Sequence, residues 1–208
     1  MCGMKNHPMA LAGVLGLALT ACGGDGGGGV GSDVEGAGGR VIATCDSILG
    51  GTVQATPCAG CTIDGATNVA DDDGYTYATV DVPQSGPSAG ATLRVTAPEG
   101  VTFPADQDTG VFLTEPQGGQ VQVNAGRDIE LRTYLDGVPQ ETDAVNNRRR
   151  SVPSSDPDVP ATFVSFHTLR EFDAVEVVIS NSGAALSEPH TWKVHELCSH
   201  GWVYDPGD

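Results

Sequence analysis

Alternating hydrophobic and polar positions recur along much of the chain and predict β-strands. The clearest run is ATLRVTA, residues 91–97, in which Leu93 and Val95 alternate with threonine and arginine. Further runs of this kind lie at residues 121–125, 128–135, 162–169 and 173–180. Turn residues separate the runs, and 29 glycines and 13 prolines argue against long helices. The pattern therefore predicts a single all-β domain, folded as an antiparallel β-sandwich.

The first forty residues follow a different pattern. A short, positively charged start is followed by the apolar run MALAGVLGLAL, which is too short for a permanent membrane span. The run ends in LTAC, residues 19–22, which resembles the bacterial lipobox. This resemblance implies a signal peptide over residues 1–21 and lipidation of Cys22, with several acyl chains anchoring the protein.

Residues 22–40 are predicted to form a tether between the lipid and the folded domain. Ten of the seventeen residues from 23 to 39 are glycine, so this stretch has too little apolar surface to offset the entropy of ordering. The domain is then expected over residues 41–208. An aspartate directly after the lipidated cysteine would resemble an inner-membrane retention signal, but this chain has Gly23 at that position. The outer membrane of the cell envelope is therefore the favoured location. The sequence does not indicate on which face of that membrane the domain lies.

The net charge limits the possible partners. The chain carries −17 at pH 7 with histidine neutral. Such a protein is repelled by nucleic acid and by anionic lipid headgroups, so nucleic-acid binding is not expected.

The predicted domain contains four cysteines: Cys45, Cys58, Cys61 and Cys198. An even number in an exported protein indicates two disulfides, for which three pairings are possible. Cys45 with Cys198 is favoured, because each ends a strand-like run near one terminus of the domain. The alternatives are a zinc site that uses CAGC (58–61) with His195, Cys198 and His200, and a redox CxxC. No second close pair follows CAGC, and a turn-rich segment follows it where a redox motif would open a helix.

Four segments together resemble the repeat modules of large bacterial cell-surface, adhesin-like proteins: CTIDGATNVADDDGYTYATVDV (61–82), TYLDGVPQET (133–142), FDAVEVVI (172–179) and WKVHELC (192–198). They occur in the order found in that family. The resemblance implies an extracellular β-sandwich, immunoglobulin-like or discoidin/jelly-roll-like, with no established enzymatic activity. The Asp-Gly turn of the family is altered here, because Asp71–Asp72 is followed by glycine only at Gly74. His195 stands where the family tends to have tyrosine.

The acidic triplet in the first of these segments has two interpretations. An EF-hand loop is excluded, because Tyr75, Thr76 and Val82 stand where that motif needs a ligand, a glycine and a glutamate. A tight turn with several carboxylates still suits calcium, the one cofactor that the sequence indicates. The candidate ligands are Asp71, Asp72, Asp73 and Asn68. The alternative is a solvated turn, for which aspartate and glycine are common residues.

Three aromatic residues are candidate contacts for an unknown protein or glycan ligand. Tyr75 and Tyr77 are expected to share one strand face beside the acidic turn, and Trp202 is expected to be exposed. Trp192 is expected in the core. Arg148–Arg150 lie in the polar loop 143–160, which is expected to be solvated, with contact to an acidic partner as the alternative.

Catalytic motifs are sparse. The sequence contains no GxSxG, HExxH or P-loop motif. Ser165, His167 and Asp173 lie within one short stretch, yet a triad requires geometry that strand neighbours rarely supply.

The sequence as a whole predicts a lipid-anchored, exported binding or adhesion module. A structural envelope lipoprotein that docks another envelope protein is the alternative, and a hydrolase is the third hypothesis.

Overall fold

A computed structural model describes residues 42–83, 90–114, 129–143, 150–153, 161–180 and 190–204. These residues contain the strands β1 Ile42–Ser47, β2 Thr52–Thr56, β3 Thr62–Asp64, β4 Ala78–Val82, β5 Ala91–Thr96, β6 Gln107–Thr114, β7 Ile129–Leu135, β8 Val138–Thr142, β9 Arg150–Pro153, β10 Thr162–Thr168, β11 Ala174–Ile179 and β12 His190–Tyr204. A 3-10 helix, Ala66–Ala70, joins β3 to β4. The signal peptide, Cys22, the tether and the predicted strand 121–125 lie outside the described residues.

The strands form two antiparallel sheets. Sheet A has the order β3-β4-β12-β6-β10-β9, with β1 also paired to β12. Sheet B has the order β2-β5-β11-β7-β8. The predicted all-β antiparallel sandwich is confirmed, and the alternating runs at 91–97, 128–135, 162–169 and 173–180 coincide with β5, β7, β10 and β11.

The main core lies between the two sheets. Leu93 and Val95 of β5 are buried in it, as their alternation predicts, and so are Val175, Val177 and Ile179 of β11. Burial of each such side chain contributes about 1.5–3 kcal/mol relative to exposure, so this layer supplies most of the driving force for folding. All six residues of β11 are buried, because neighbouring side chains also cover its outer face.

A second, smaller core lies on the outer face of sheet A, where β1 also approaches β9. Its members are Ala43, Cys45, Phe112, Ala161, Phe163 and Cys198. The rings of Phe112 and Phe163 are 4.9 Å apart. A Cβ atom at Gly201 would lie 2.1 Å from Cζ of Phe163, so the ring occupies the space that the glycine leaves.

Both predicted disulfides are present. Cys45 is bonded to Cys198 across 153 positions of sequence, and Cys58 is bonded to Cys61. Because all four sulfur atoms lie in disulfides, the zinc hypothesis does not hold for this oxidised form. The CAGC segment leads into the short strand β3, which also differs from the strand-then-helix context of a redox motif.

One edge of β12 is shared by two strands and contains a gap. On this edge Val194 is opposite Ala78 of β4, and Cys198 is opposite Ser47 of β1. Among the described strands, the stretch 195–197 therefore has no partner on that side. A β-bulge interrupts the register with β6 between Val194 and Glu196 at the same level. The segment Asp71–Tyr77, here called the acidic turn, lies at this gap.

Candidate functional site

The acidic turn is fastened at its base by Asn68. The side-chain Nδ2 of Asn68 donates a hydrogen bond to the carbonyl oxygen of Tyr77 at 3.1 Å, which ties the 3-10 helix to the residue before β4. Gly65 directly precedes the 3-10 helix and has φ 65°, a left-handed conformation that favours glycine. The Asn68 amide thus holds the two ends of the loop together.

Asp71 and Asp73 use their carboxylates within the turn. Asp71 accepts hydrogen bonds from the backbone N–H of Asp73 at 3.0 Å and from the hydroxyl of Thr76 at 2.8 Å. Asp73 accepts one from the N–H of Tyr75 at 3.1 Å. These are the side-chain-to-backbone bonds with which aspartate stabilises turns, so both residues shape the loop.

Asp72 differs from its two neighbours. Its backbone has φ 62°, which is uncommon for a residue with a side chain, and it is half-buried where Asp71 and Asp73 are exposed. Burial, followed by the charges of Asp46 and Asp71, raises the pKa of Asp72 above its ordinary value. Asp72 is therefore the least solvated of the three aspartates.

Glu196 lies beneath the turn in a buried position. Only 2% of the residue is exposed, and Oε2 accepts a hydrogen bond from the Ser47 hydroxyl at 2.5 Å. Burial raises the pKa of Glu196 to about 7, and the charges of Asp71 and Asp72 add to this shift. The hydrogen bond from the Ser47 hydroxyl and a backbone hydrogen bond from Asp72 favour the charged carboxylate and oppose it.

His195, the neighbour of Glu196, holds the turn directly. Its Nδ1 lies 2.9 Å from the carbonyl oxygen of Gly74, which only accepts, so Nδ1 carries the proton. Its Nε2 lies 2.9 Å from the hydroxyl of Thr114, which donates to it when the ring is neutral. Burial lowers the pKa of His195, so the neutral ring is favoured. The bulge in β12 thus places two consecutive titratable residues against one turn.

The predicted calcium ligands are only partly brought together. Asp72 lies near both Asp71 and Asp46, whereas the Asn68 amide donates to Tyr77. Within the described part of the chain, no three His, Cys, Asp or Glu side chains are arranged to hold a metal ion. Calcium binding stays a prediction.

The structure places the three predicted aromatic contacts in different surroundings. Tyr75 is 66% exposed, whereas Tyr77 packs edge-on against the ring of His195 with 5.5 Å between centroids. The expectation that the two tyrosines share a strand face is wrong, because β4 begins only at Ala78. Trp202 is 47% exposed, as expected, and its ring centroid lies 4.1 Å from that of His200 with the two rings tilted by 41°.

Two further expectations can be compared with the structure. Trp192 is buried in the main core, as predicted. In the arginine cluster, Arg148 and Arg149 lie outside the described residues, whereas Arg150 begins β9 and so does not belong to a loop.

The nearby serine, histidine and aspartate do not form a triad. Ser165 is fully buried and its Oγ has no hydrogen-bond partner in the described ranges. His167 lies between Asp108, 3.0 Å from Nδ1, and Asp106, 2.9 Å from Nε2. Asp173 accepts instead from the backbone N–H of Asp136 at 2.8 Å.

Sequence reasoning missed a buried charge network on the outer face of sheet B. Glu176 accepts hydrogen bonds from Arg94 at 2.7 Å and 3.0 Å, from Arg132 at 3.3 Å and from the Tyr134 hydroxyl at 2.8 Å. The register of β11 with β5 and β7 puts Arg94, Glu176 and Arg132 side by side. That register links residues far apart in sequence, so the alternation within each strand gives no signal for it.

A second missed feature is an apolar end of the sandwich. Four of the six exposed large hydrophobic residues in the described ranges lie at the end where β5, β7 and β10 finish: Leu49, Val101, Val138 and Leu169. Hydrogen bonds join the segments at this end, including those from the N–H groups of Leu169 and Arg170 to Glu141. We call these four residues the apolar end.

Comparisons with family models, with curated proteins and with solved structures found no match. The resemblance to adhesin-like modules therefore rests on the sequence segments alone. No helix within the described residues has the length and apolar character needed to cross a membrane.

Proposed function

We propose that this chain is an exported, lipid-anchored binding or adhesion module of the cell envelope. The observation that carries the proposal is the apolar end, where loops and strand ends from both sheets present four large hydrophobic side chains to solvent. Loops on a rigid sandwich are frequent positions for binding residues, and exposed apolar side chains grouped at one place favour contact with a partner.

The disulfides support the exported location. Disulfides persist in oxidising compartments, and here one of them ties the first described strand to the last. Together with the lipobox-like LTAC and the glycine-rich tether, this arrangement suits a domain held at a lipid surface outside the cytoplasm. The negative net charge keeps the domain away from anionic headgroups, so the lipid anchor and the binding surface act separately.

The partner is expected to be a protein or glycan on a cell surface. Fluorescently labelled, oxidised protein is incubated with bacterial cells and with a glycan array. We expect saturable binding that weakens at least about tenfold in a Val101→Ser/Leu169→Ser variant, because about 1.4 kcal/mol of lost contact gives that factor. The matched control, Tyr75→Ser/Trp202→Ser, alters the exposed aromatic residues and should bind like the wild type.

The same variants distinguish the competing functions. Cross-linking in intact cells to one stoichiometric envelope protein, without glycan or whole-cell binding, supports the structural lipoprotein instead. If the aromatic control loses binding and the apolar-end variant keeps it, the binding surface is the one predicted from sequence. Absence of binding and of any cross-linked partner overturns the proposal.

Lipidation has its own test. Mass spectrometry of the mature protein is expected to find an acylated Cys22 at its N-terminus, and Cys22→Ala should release the domain from the membrane fraction. An unmodified N-terminus at another residue would contradict the anchor.

A further inference from the structure

Loops from both sheets meet at the apolar end and are joined there by hydrogen bonds. The N–H of Ala97 donates to the carbonyl oxygen of Asp173 at 2.7 Å, and Phe103 and Phe172 exchange backbone hydrogen bonds of 2.7 Å and 3.1 Å. The carboxylate of Asp173 accepts in turn from the N–H of Asp136 at 2.8 Å. The surface is therefore formed before a partner arrives, and little conformational entropy is lost on binding.

Tight turns hold two of the four apolar side chains in place. Asp136–Gly137 is the two-residue connection of the β7–β8 hairpin, and φ is positive at both residues, as a type I′ turn requires. Val138 follows this turn directly. A Cβ atom on Gly50 would lie 3.8 Å from Cγ of Pro98, so the loop that carries Leu49 packs against the loop after β5.

The same loops, residues 48–51, 97–106, 136–137 and 169–173, carry more acidic than basic side chains. Their exposed acids are Glu99, Asp106, Asp136 and Glu171. Arg170 is the one exposed base in these four loops. Asp106 lies 2.9 Å from Nε2 of His167, whereas the other three acids form no ion pair with any described residue. The exposed aliphatic side chains thus lie among uncompensated negative charges.

This combination of apolar and acidic side chains selects among possible partners. Aliphatic side chains form no hydrogen bonds with sugar hydroxyl groups, which would lose their water without replacement. A second copy of this chain brings the same acids to the contact, and the net charge of −17 opposes its approach. Anionic lipid headgroups are repelled for the same reason. A polypeptide that carries lysine or arginine beside apolar side chains is complementary in both respects.

We propose, on the basis of the function proposed above, that the apolar end binds a cationic, apolar polypeptide segment of another protein. Apolar side chains of the partner cover Val101 and Leu169 and exclude water from them. Its lysine or arginine side chains lie beside Glu99, Asp136 and Glu171, where they select the partner and speed its approach.

The probe is a fluorescently labelled peptide of alternating lysine and leucine residues, and fluorescence anisotropy measures its binding to the oxidised protein. Serine replaces leucine in one comparison peptide, and glutamine replaces lysine in another. We expect saturable binding of the lysine–leucine peptide and at least about tenfold weaker binding of both comparison peptides, because each lacks one of the two contributions. Added salt should weaken binding of the lysine–leucine peptide, because salt screens exposed charges.

The Glu99→Gln/Glu171→Gln variant should bind the lysine–leucine peptide about fivefold more weakly, because each exposed charge pair contributes modestly. The matched control is Asp64→Asn/Asp73→Asn, which removes two exposed acids outside these loops and changes the net charge by the same amount. This control should bind like the wild type. Equal affinity for all three peptides, no weakening in the first variant, or equal weakening in both variants overturns the proposal.

Whole-cell binding separates failure of this partner class from failure of the proposed function. Displacement of cell-bound protein by the lysine–leucine peptide, and not by the comparison peptides, is the expected result. If cells bind the protein through Val101 and Leu169 but the peptide does not displace it, the binding module stands and the cationic partner is overturned. Self-association that Val101→Ser/Leu169→Ser abolishes would identify a second copy as the occupant and also overturn it. If neither cells nor the peptide binds, both proposals fail.

Discussion

Removal of the Cys45–Cys198 disulfide should lower the free energy of unfolding by about 5 kcal/mol. The bond closes a loop with a sequence separation of 153, and the entropy lost by the unfolded chain on closing a loop of that length gives this figure. Both cysteines are buried in the second core, so replacing them with alanine adds a cavity cost of about 1 kcal/mol. A domain whose total stability is about 5–15 kcal/mol is left marginal by such a loss.

The assay is urea unfolding at fixed pH, followed by the fluorescence of the buried Trp192. The matched control is Cys58→Ala/Cys61→Ala, which removes a disulfide of sequence separation 3 and should cost only about 2 kcal/mol. A Cys45→Ala/Cys198→Ala variant that is unfolded without urea meets the expectation. Equal losses in the two variants, or a larger loss in the control, would refute the loop-entropy reasoning and the role given to the second core.

Four further predictions concern single positions. Gly201→Ala should lower the free energy of unfolding, measured with urea, by about 1–3 kcal/mol, because its Cβ would overlap the Phe163 ring. Unchanged stability would contradict this close packing. The free energy of unfolding of Glu176→Gln should be about 2 kcal/mol lower, because two arginines and a tyrosine hydroxyl lose a charged acceptor. The loss stays moderate because both arginines reach solvent. Glu196 has a folded-state pKa raised from 4.5 to about 7, so its stabilising effect is complete below pH 4.5 and is lost as the pH rises through 7. The difference in unfolding free energy between wild type and Glu196→Gln should therefore change by about 3 kcal/mol over that window, and a flat difference would contradict it. If calcium binds, millimolar calcium should raise Tm by several degrees at pH 8, and Asp72→Asn should abolish the rise, whereas equal Tm values in calcium and EDTA would reject the site.

The sandwich was predictable because one rule, alternation with period two, decides which face of a strand is buried. Leu93 and Val95 follow it, and the structure places both in the main core. The cysteine pairing was predictable for a related reason, since strands near the two chain ends of a domain often pair and Cys45 and Cys198 each end such a run. Trp202 was expected to be exposed because it follows the last cysteine, and it is.

The candidate site was not predictable in the same way. The acidic triplet drew attention to three similar aspartates, but only Asp72 is half-buried, because a left-handed backbone turns the chain at that residue. Its partners Asp46 and Glu196 come from distant strands, and no local pattern in the sequence joins them. The charge network around Glu176 was missed for the same reason, since register between strands is set by the whole fold.

The bulge in β12 explains why alternation fails at the site. With strict alternation after Trp192 and Val194, the next residue in the main core would be Glu196, a position that a charged side chain occupies only at high cost. One extra residue at His195 shifts the phase, so Leu197 enters the main core and Glu196 turns towards Ser47 and the acidic turn. A second irregularity, opposite Asp46 and Ser47, shifts the phase again.

These two shifts let a single strand serve three environments in succession. The first part of β12 lines the main core, its middle supports the acidic turn in the gap, and its last part, with Cys198 and Gly201, closes the second core against Phe163. Because the gap lies between two packed regions, movement of the turn need not disturb either core. Cys198 in the last part of β12 is bonded to Cys45, so the disulfide fixes the same part of the strand that closes the second core.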